Sequence, residues 1–224
     1  MISLINITDV YQINDSTLDI SWRNTAGPSL IFDNKKIQAT GWFYLQTAQI
    51  DPNENGLAFM INTKVKLLEP KYNLWLGYDH LSGCNSANNN LQCFNNLYAT
   101  NHKFYGTIDY YLNSPKDTRN AGLRDLCAGG QFTLGKKSTI QIDLHQLFLT
   151  EQVIVVEPEI ENSNKNLGFE ADFAFTFKIM YAVKLMVGQS IYLPTETTVF
   201  VKSITNEKNS FRTFTSLIIT PRLY

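Results

Sequence analysis

Apolar and polar residues alternate along much of the chain, and the longest example is GFEADFAFTFKIMYAVKLMVG, residues 168–188. Within it every odd-numbered position is apolar, and the positions between begin with Glu170 and Asp172. A period of two residues predicts β-structure with an apolar face on a core and a polar face in solvent. Because a strand usually has about 3–10 residues, we expect one bent strand that serves two sheets or two strands joined at a bulge near Met180–Ala182.

Similar segments recur along the sequence, rich in β-branched and aromatic residues and bounded by Asn, Asp, Gly or Pro. Such segments predict strands separated by turns. The predicted strands cover residues 2–13, 17–22, 37–50, 57–67, 73–78, 103–112, 138–144, 152–156, 190–193, 197–204 and 211–219. The pattern predicts an all-β fold, an antiparallel β-sandwich of jelly-roll type. We expect a single domain over residues 1–224, with an elaborated loop region near residues 80–130.

One or two short helices are also expected. The segment 114–130 offers Ser114 as an N-cap, Pro115 at the first helical position and a Gly129-Gly130 stop. A second helix is expected near Leu144–Thr150. The C-terminal TSLIITPRLY is apolar almost to its end, so we expect it to be held in the core or by a neighbouring subunit.

Composition favours contacts with other proteins over contacts with nucleic acid. Charged residues make up 17% of the chain, below the usual ~25%, so neutral polar groups must supply much of the polar surface. Such groups are buried in an interface at less cost than charges. The net charge is -1 and no basic arm is present, which argues against a nucleic-acid partner.

The sequence shows no sign of an export signal or of a membrane-spanning helix. The N-terminal MISLINITDV has no Lys or Arg, so it does not match a signal peptide. Apolar runs stay shorter than the ~18 residues of a membrane-spanning helix. We therefore expect a protein without a membrane span.

Cysteine and histidine residues give the best candidates for a metal site, although the pattern is weak. His80, Cys84, Cys93 and His102 have the spacing H-x3-C-x8-C-x8-H, and thiolate and imidazole are ligands that suit zinc. The close-paired C-x2-C of strong zinc sites is missing. A Cys84–Cys93 disulfide and free thiols are the alternatives, and free thiols are the default without a secretory signal. Cys127 is expected to be a small buried residue.

Other ionisable residues give no catalytic motif, so neither an enzyme nor a cofactor is predicted. Glu157, Glu159 and Glu161 alternate around Pro158 and are expected to form a solvated edge. Glu170 and Asp172, at the start of the long alternating stretch, are expected on the outer surface, where charged residues prevent edge-to-edge pairing of sheets.

About ten short strands, few helices, low charge, many Asn residues and apolar ends together resemble viral single jelly-roll structural proteins, such as penton proteins. The pattern is also similar to the β-sandwich heads of phage fibres. The resemblance implies a virion structural protein, a capsid vertex or minor capsid subunit assembled in the host cytoplasm. Its partners would be other capsid proteins and further copies of itself, with a pentamer favoured and a trimer possible.

Two loops, residues 80–96 and 157–167, are expected to reach the neighbouring subunits or a host receptor. The alternative implied by the resemblance is a fibre or adhesin head that binds a host receptor or a glycan. The resemblance lies in the pattern of the whole chain, so it assigns no functional residue.

Overall fold

The computed structural model describes residues 1–12, 20–51, 54–84, 93–96, 105–153 and 164–220. Ten strands make up the sheet: β1 (Ile2–Gln12), β2 (Ile20–Asp33), β3 (Ile37–Asp51), β4 (Glu54–Leu68), β5 (Tyr72–Leu81), β6 (Leu123–Leu134), β7 (Ser138–Phe148), β8 (Asn166–Met180), β9 (Val183–Pro194) and β10 (Ser210–Ile219). The predicted all-β, antiparallel class is confirmed.

Each strand pairs with its neighbours in the sequence. The order across the single ten-stranded sheet is β1 to β10 without interruption, so β1 and β10 are the edge strands of the described sheet. A jelly roll is built from Greek keys, which bring strands distant in sequence side by side. The jelly-roll arrangement is therefore not confirmed, since the described neighbours are consecutive strands.

The long alternating stretch forms two strands. β8 and β9 are joined by a turn at Tyr181 and Ala182, and Phe177 lies opposite Leu185 across the hairpin. The register shifts between Lys178 and Met180, just before the turn. Of the two possibilities left open by the sequence, two strands joined near Met180–Ala182 is the correct one.

One short helix is present, as the predicted fold class allows, but neither predicted position is helical. Residues 116–118 form one 3-10 turn, and from Leu123 onward the chain is the strand β6. The signals at Ser114 and Pro115 are local, whereas LRDLCAGG alternates between the two faces of the sheet and pairs with both β5 and β7. The second predicted helix overlaps the end of β7, for the same reason.

Two predicted strands also differ from the structure. Most of the segment 197–204 lies in the helix α1 (Glu196–Lys202), where Thr197, Thr198 and Val201 are buried. Its β-branched residues favour strands, but their burial on one side of a helix decides the outcome. The described part of the predicted strand 103–112 forms turns.

The two ends of the sheet differ. At one end the connections are short: residues 34–36, 69–71, 135–137 and 181–182. We call this the short-turn end, and both edge strands meet it, because Met1 lies beside Ile31 and Thr220 beside Ala182. The opposite end, the loop end, carries the long connection between β5 and β6 and the connection that contains α1.

An apolar cluster lies at the loop end. Leu81, Leu123 and Leu147 of the sheet pack with Tyr111 of the β5–β6 connection and Val201 of α1. This cluster is only one part of the interior, because the centre of the sheet buries polar side chains.

Candidate functional site

The two faces of the sheet have opposite chemistry. One face, which we call the inner face, buries the polar side chains of Asn62, Asp79, Asp125, Glu170, Asp172 and Ser190. The opposite, outer face leaves apolar side chains exposed on every strand, among them Leu4, Leu30, Phe43, Leu57, Leu76, Leu126, Ile142, Phe173, Val187 and Leu217. This polarity is the reverse of that expected from the sequence.

The alternating stretch shows the reversal most clearly. Glu170 is fully buried and Asp172 nearly so, whereas Phe173 is 43% exposed. The expectation that Glu170 and Asp172 lie on the outer surface is therefore wrong. Their carboxyl groups accept hydrogen bonds from the β5–β6 connection, which folds over the inner face.

The inner face is strongly curved. A cavity of about 280 Å³ is lined both by Trp42 of β3 and by His145 of β7. In a flat sheet these strands would be roughly 19 Å apart, yet both line this one cavity. Trp75 of β5 also donates a hydrogen bond to Asp143 of β7, at 3.0 Å. The inner face is thus the concave face.

An aspartate–histidine pair lies at this cavity. His145 of β7 and Asp125 of β6 are joined through Nδ1 and Oδ2 at 2.7 Å. Asp125 is 1% exposed, and its second oxygen, Oδ1, has no hydrogen-bond partner among the described atoms. Asp79 lies opposite Asp125 in the next strand and accepts a hydrogen bond from Asn62. The pair therefore presents a buried acceptor beside a second carboxyl group.

The connection between β5 and β6 covers the adjacent part of the inner face. We call residues 105–122 the inserted segment. Its Ile108 amide donates to Glu170 Oε1 at 2.8 Å, and the Thr107 hydroxyl donates to Asp172 Oδ1 at 2.8 Å. Gly106 has a φ of +86°, and a Cβ built there would clash with the Glu170 carboxyl group. The segment is therefore fitted to these two carboxyl groups.

The far side of the inserted segment contacts the last strands. Arg212 of β10 donates to the Thr107 carbonyl and pairs with Asp109 at 3.1 Å. Tyr110 and Ser210 are joined through their hydroxyl groups at 2.6 Å. The segment thus ties β8 and β10 together across the concavity.

A group of phenols and hydroxyls closes the loop end. The Tyr111 hydroxyl lies 3.0 Å from the Tyr192 hydroxyl and 3.1 Å from Thr198 Oγ1. Burial raises the pKa of the Tyr111 phenol, and the neighbouring Tyr192 raises it further. The Lys202 ammonium lies 4.9 Å from the Tyr111 ring and pairs with Asp117 at 3.1 Å. These contacts hold α1 against the inserted segment.

Two of the four weak metal-ligand candidates are joined to each other. Cys84 and Cys93 are joined as a disulfide with a Cα–Cα distance of 4.6 Å, so the disulfide alternative is the one observed. His80 stacks on Phe59 with ring centroids 5.1 Å apart, and His102 lies outside the described residues. Within the described ranges, no group of three or more His, Cys, Asp and Glu side chains could hold a metal ion.

The other sequence candidates have different outcomes. Cys127 is a free thiol that lines the 280 Å³ cavity. Glu157, Glu159 and Glu161 lie outside the described residues, as does most of the predicted loop 157–167. Sequence reasoning missed the group formed by Asp79, Asp125 and His145, because these residues are far apart in sequence and meet only through the strand register. The available signal was an even spacing that places residues on one face of a strand: Trp75 lies four residues before Asp79, and Cys127 lies two residues after Asp125.

A second cavity of about 250 Å³ lies beside the first and shares Gln38, Lys64 and Lys66 with it. Asn73, Gln131 and Gln141 line its far part. The concave interior is thus polar from the Asp79–Asp125 level down towards the short-turn end. Such a surface suits water or a small polar ligand better than an apolar one.

Comparisons with known proteins give no family assignment. No protein-family model matches this chain, and no curated protein matches it. Across the part of the chain that the structure describes, no helix is both long enough and apolar enough to cross a membrane.

Proposed function

We propose that this protein works embedded in lipid, with the outer face of the sheet against acyl chains and the polar inner face enclosed. The observation that carries the proposal is the reversed polarity of the sheet. Exposed apolar side chains occur on all ten strands, whereas the exposed apolar patch of a water-soluble protein is usually confined to a few hundred Å². Lipid is a medium that covers such a surface on all sides.

Strand length agrees with this medium. The strands have 10–15 residues, and about 9–11 residues in a tilted strand cross the hydrocarbon core of a bilayer. Charged residues gather at the short-turn end, including Asp33, Lys35, Lys71 and Lys136. These residues would lie in the headgroup region, while the apolar band lies in the hydrocarbon.

Three polar side chains on the outer face of β1 and β2 satisfy one another. Asn24 Nδ2 donates to Asn6 Oδ1 at 2.7 Å and to Thr8 Oγ1 at 2.8 Å, between β2 and β1. Exposed tyrosines, Tyr72 and Tyr181, lie at the short-turn end. Internal satisfaction of polar groups and aromatic side chains near the headgroups are both typical of surfaces in lipid.

The proposal requires hydrogen-bond partners for the two edge strands of the sheet. Backbone groups along β1 and β10 need hydrogen-bond partners in hydrocarbon, because no water is available there. The edges must then pair with each other or with another chain. Cysteines at Leu4 and Leu217, in a Cys127→Ser background, distinguish the two: an intramolecular cross-link indicates mutual pairing, and a covalent dimer indicates a second copy.

The three tryptophans provide the test. Trp22 is exposed on the outer face, whereas Trp42 and Trp75 line the cavities. In vesicles whose acyl chains carry bromine, the wild-type fluorescence should be partly quenched. The Trp22→Phe variant should lose most of that quenching, and Trp42→Phe should keep it. Equal quenching of both variants, or no association with vesicles, would contradict the proposal.

Assembly into a virion, as expected from the resemblance, is the second candidate, and the same outer face supports it. Other copies and other capsid proteins could bury the exposed apolar side chains. Protein interfaces have an apolar centre and a polar rim, so coverage of every strand fits lipid better. A detergent-free pentamer or trimer by light scattering, without vesicle binding, would favour assembly. A glycan- or receptor-binding head stays a prediction, because the described residues show no separate site for it.

A further inference from the structure

The larger cavity has opposite charges at its two levels. Asp79 and Asp125 lie near the loop end, with His145 beside them, whereas Lys64 and Lys66 lie farther towards the short-turn end. Lys64 is two residues along β4 from Asn62, the partner of Asp79, which is roughly 7 Å at the usual rise per residue. A ligand of a few carbon atoms would reach both levels.

One buried oxygen lacks a donor. Asp125 Oδ2 is held by His145, but Oδ1 has no hydrogen-bond partner, and the residue is almost completely buried. A buried carboxylate oxygen without a donor is costly, so a donor placed in the cavity would stabilise it. An ammonium group gives a strong, charge-assisted hydrogen bond.

At the level of Lys64 the cavity offers a cation, so a ligand would need an anionic group there. The Lys64 ammonium lies 5.3 Å from the centroid of the Trp75 ring, and none of the ion pairs among the described residues includes Lys64. A carboxylate on the ligand would pair with it in an interior of low polarity, where such a pair is stronger than in water.

We propose that this cavity binds a small zwitterion, with its ammonium group on Asp125 Oδ1 and its carboxylate on Lys64. Trp42, Thr40 and Gln38 form the wall of the cavity along β3. The proposal does not depend on lipid around the outer face, because the inner face encloses the cavity in either medium.

Binding of three probes to the full-length chain tests the site, in whichever medium keeps it folded. The probes are 4-aminobutyrate, butyrate and butylammonium, measured by titration calorimetry. The zwitterion should bind at least tenfold more tightly than either single-ended probe. The proposal is overturned if 4-aminobutyrate shows no saturable binding up to millimolar concentration. It is also overturned if all three probes bind equally.

Three variants sharpen the result. Asp125→Asn and Lys64→Gln should each weaken 4-aminobutyrate binding at least tenfold, because each removes one end of the recognition. Lys35→Gln, in an exposed turn at the short-turn end, is the matched control and should bind as the wild type does. If Asp125→Asn fails to fold, Lys64→Gln still decides the question. Unchanged binding by Lys64→Gln would overturn the carboxylate end, and with it the zwitterion.

Discussion

The inner and outer faces of β8 are formed by neighbouring residues of one strand, yet they are suited to opposite media. Asp172 accepts two hydrogen bonds from Thr107 and is buried, while the next residue, Phe173, is exposed. In a water-soluble sheet these roles would be exchanged. The comparison teaches that the alternation itself defines two faces, and that on β8 the inserted segment covers the polar one.

A charge on the outer face should have the largest effect. Leu76 is 69% exposed at the middle of β5. In lipid, Leu76→Lys should lower the free energy of unfolding by about 2–4 kcal/mol, because a lysine in the bilayer centre is poorly solvated. Guanidinium unfolding in vesicles measures this. In water the same change at so exposed a position should cost almost nothing, and that result would break the comparison of the two faces.

A methyl group under the inserted segment should have the next largest effect. Gly106→Ala places a Cβ against the Glu170 carboxyl group and retains a positive φ. The expected loss of stability is about 2–3 kcal/mol. Gly135→Ala also has a positive φ but open space around the new Cβ, so it isolates the strain from the clash. Equal losses in the two variants would show that the fit against Glu170 contributes nothing.

Removal of the Glu170 carboxyl group tests the polar interior directly. Glu170→Ala leaves the Ile108 amide without its acceptor, which should cost about 2 kcal/mol. Glu170→Gln keeps an acceptor oxygen in the same place and should recover most of the loss. Denaturant unfolding of the three proteins gives the values. If Ala and Gln behave alike, the hydrogen bond to the inserted segment is not what stabilises this face.

The smallest effect concerns the phenols at the loop end. Burial raises the pKa of both Tyr105 and Tyr111, so the folded protein keeps these groups neutral above about pH 10, where the unfolded chain releases their protons. The contribution of these phenols to the free energy of unfolding is thus fully present below about pH 10. Above about pH 10 it falls by about 1.4 kcal/mol per pH unit for each such group. Tyr111→Phe should reduce this slope. An identical slope would mean that Tyr111 ionises in the folded state.

Much of the strand layout could be predicted from the sequence, because hairpins depend on local signals. The alternation and the turn residues place β1, β3, β4 and β10 within a few residues of their observed bounds. The helix predicted for residues 114–130 is wrong because the prediction rests on capping signals at Ser114 and neglects the alternation from Leu123 onward. Local propensity competes poorly with pairing on both sides of a strand.

The polarity of the sheet could not be predicted in the same way. A period of two assigns residues to faces, but the choice of the inner face came from the general rule that apolar residues are buried. That rule assumes water outside. Even positions such as Asn62, Lys64 and Lys66 in β4 carry the contrary signal, which becomes clear only when the strands are aligned in register. The Asp79, Asp125 and His145 group required that same register.

The sequential order of the strands also determines when each part of the molecule can form during folding. Every strand pair joins neighbours in the sequence, so the sheet can grow hairpin by hairpin with little loop-closure entropy at each step. The inserted segment cannot dock so early, because its hydrogen bonds need strands that come later in the chain. Thr107 bonds to Asp172 of β8, and Tyr110 bonds to Ser210 of β10, which is 100 residues later. Its closure over the inner face therefore follows β8 for the contact of Thr107 and is completed only with β10, which supplies the contact of Tyr110.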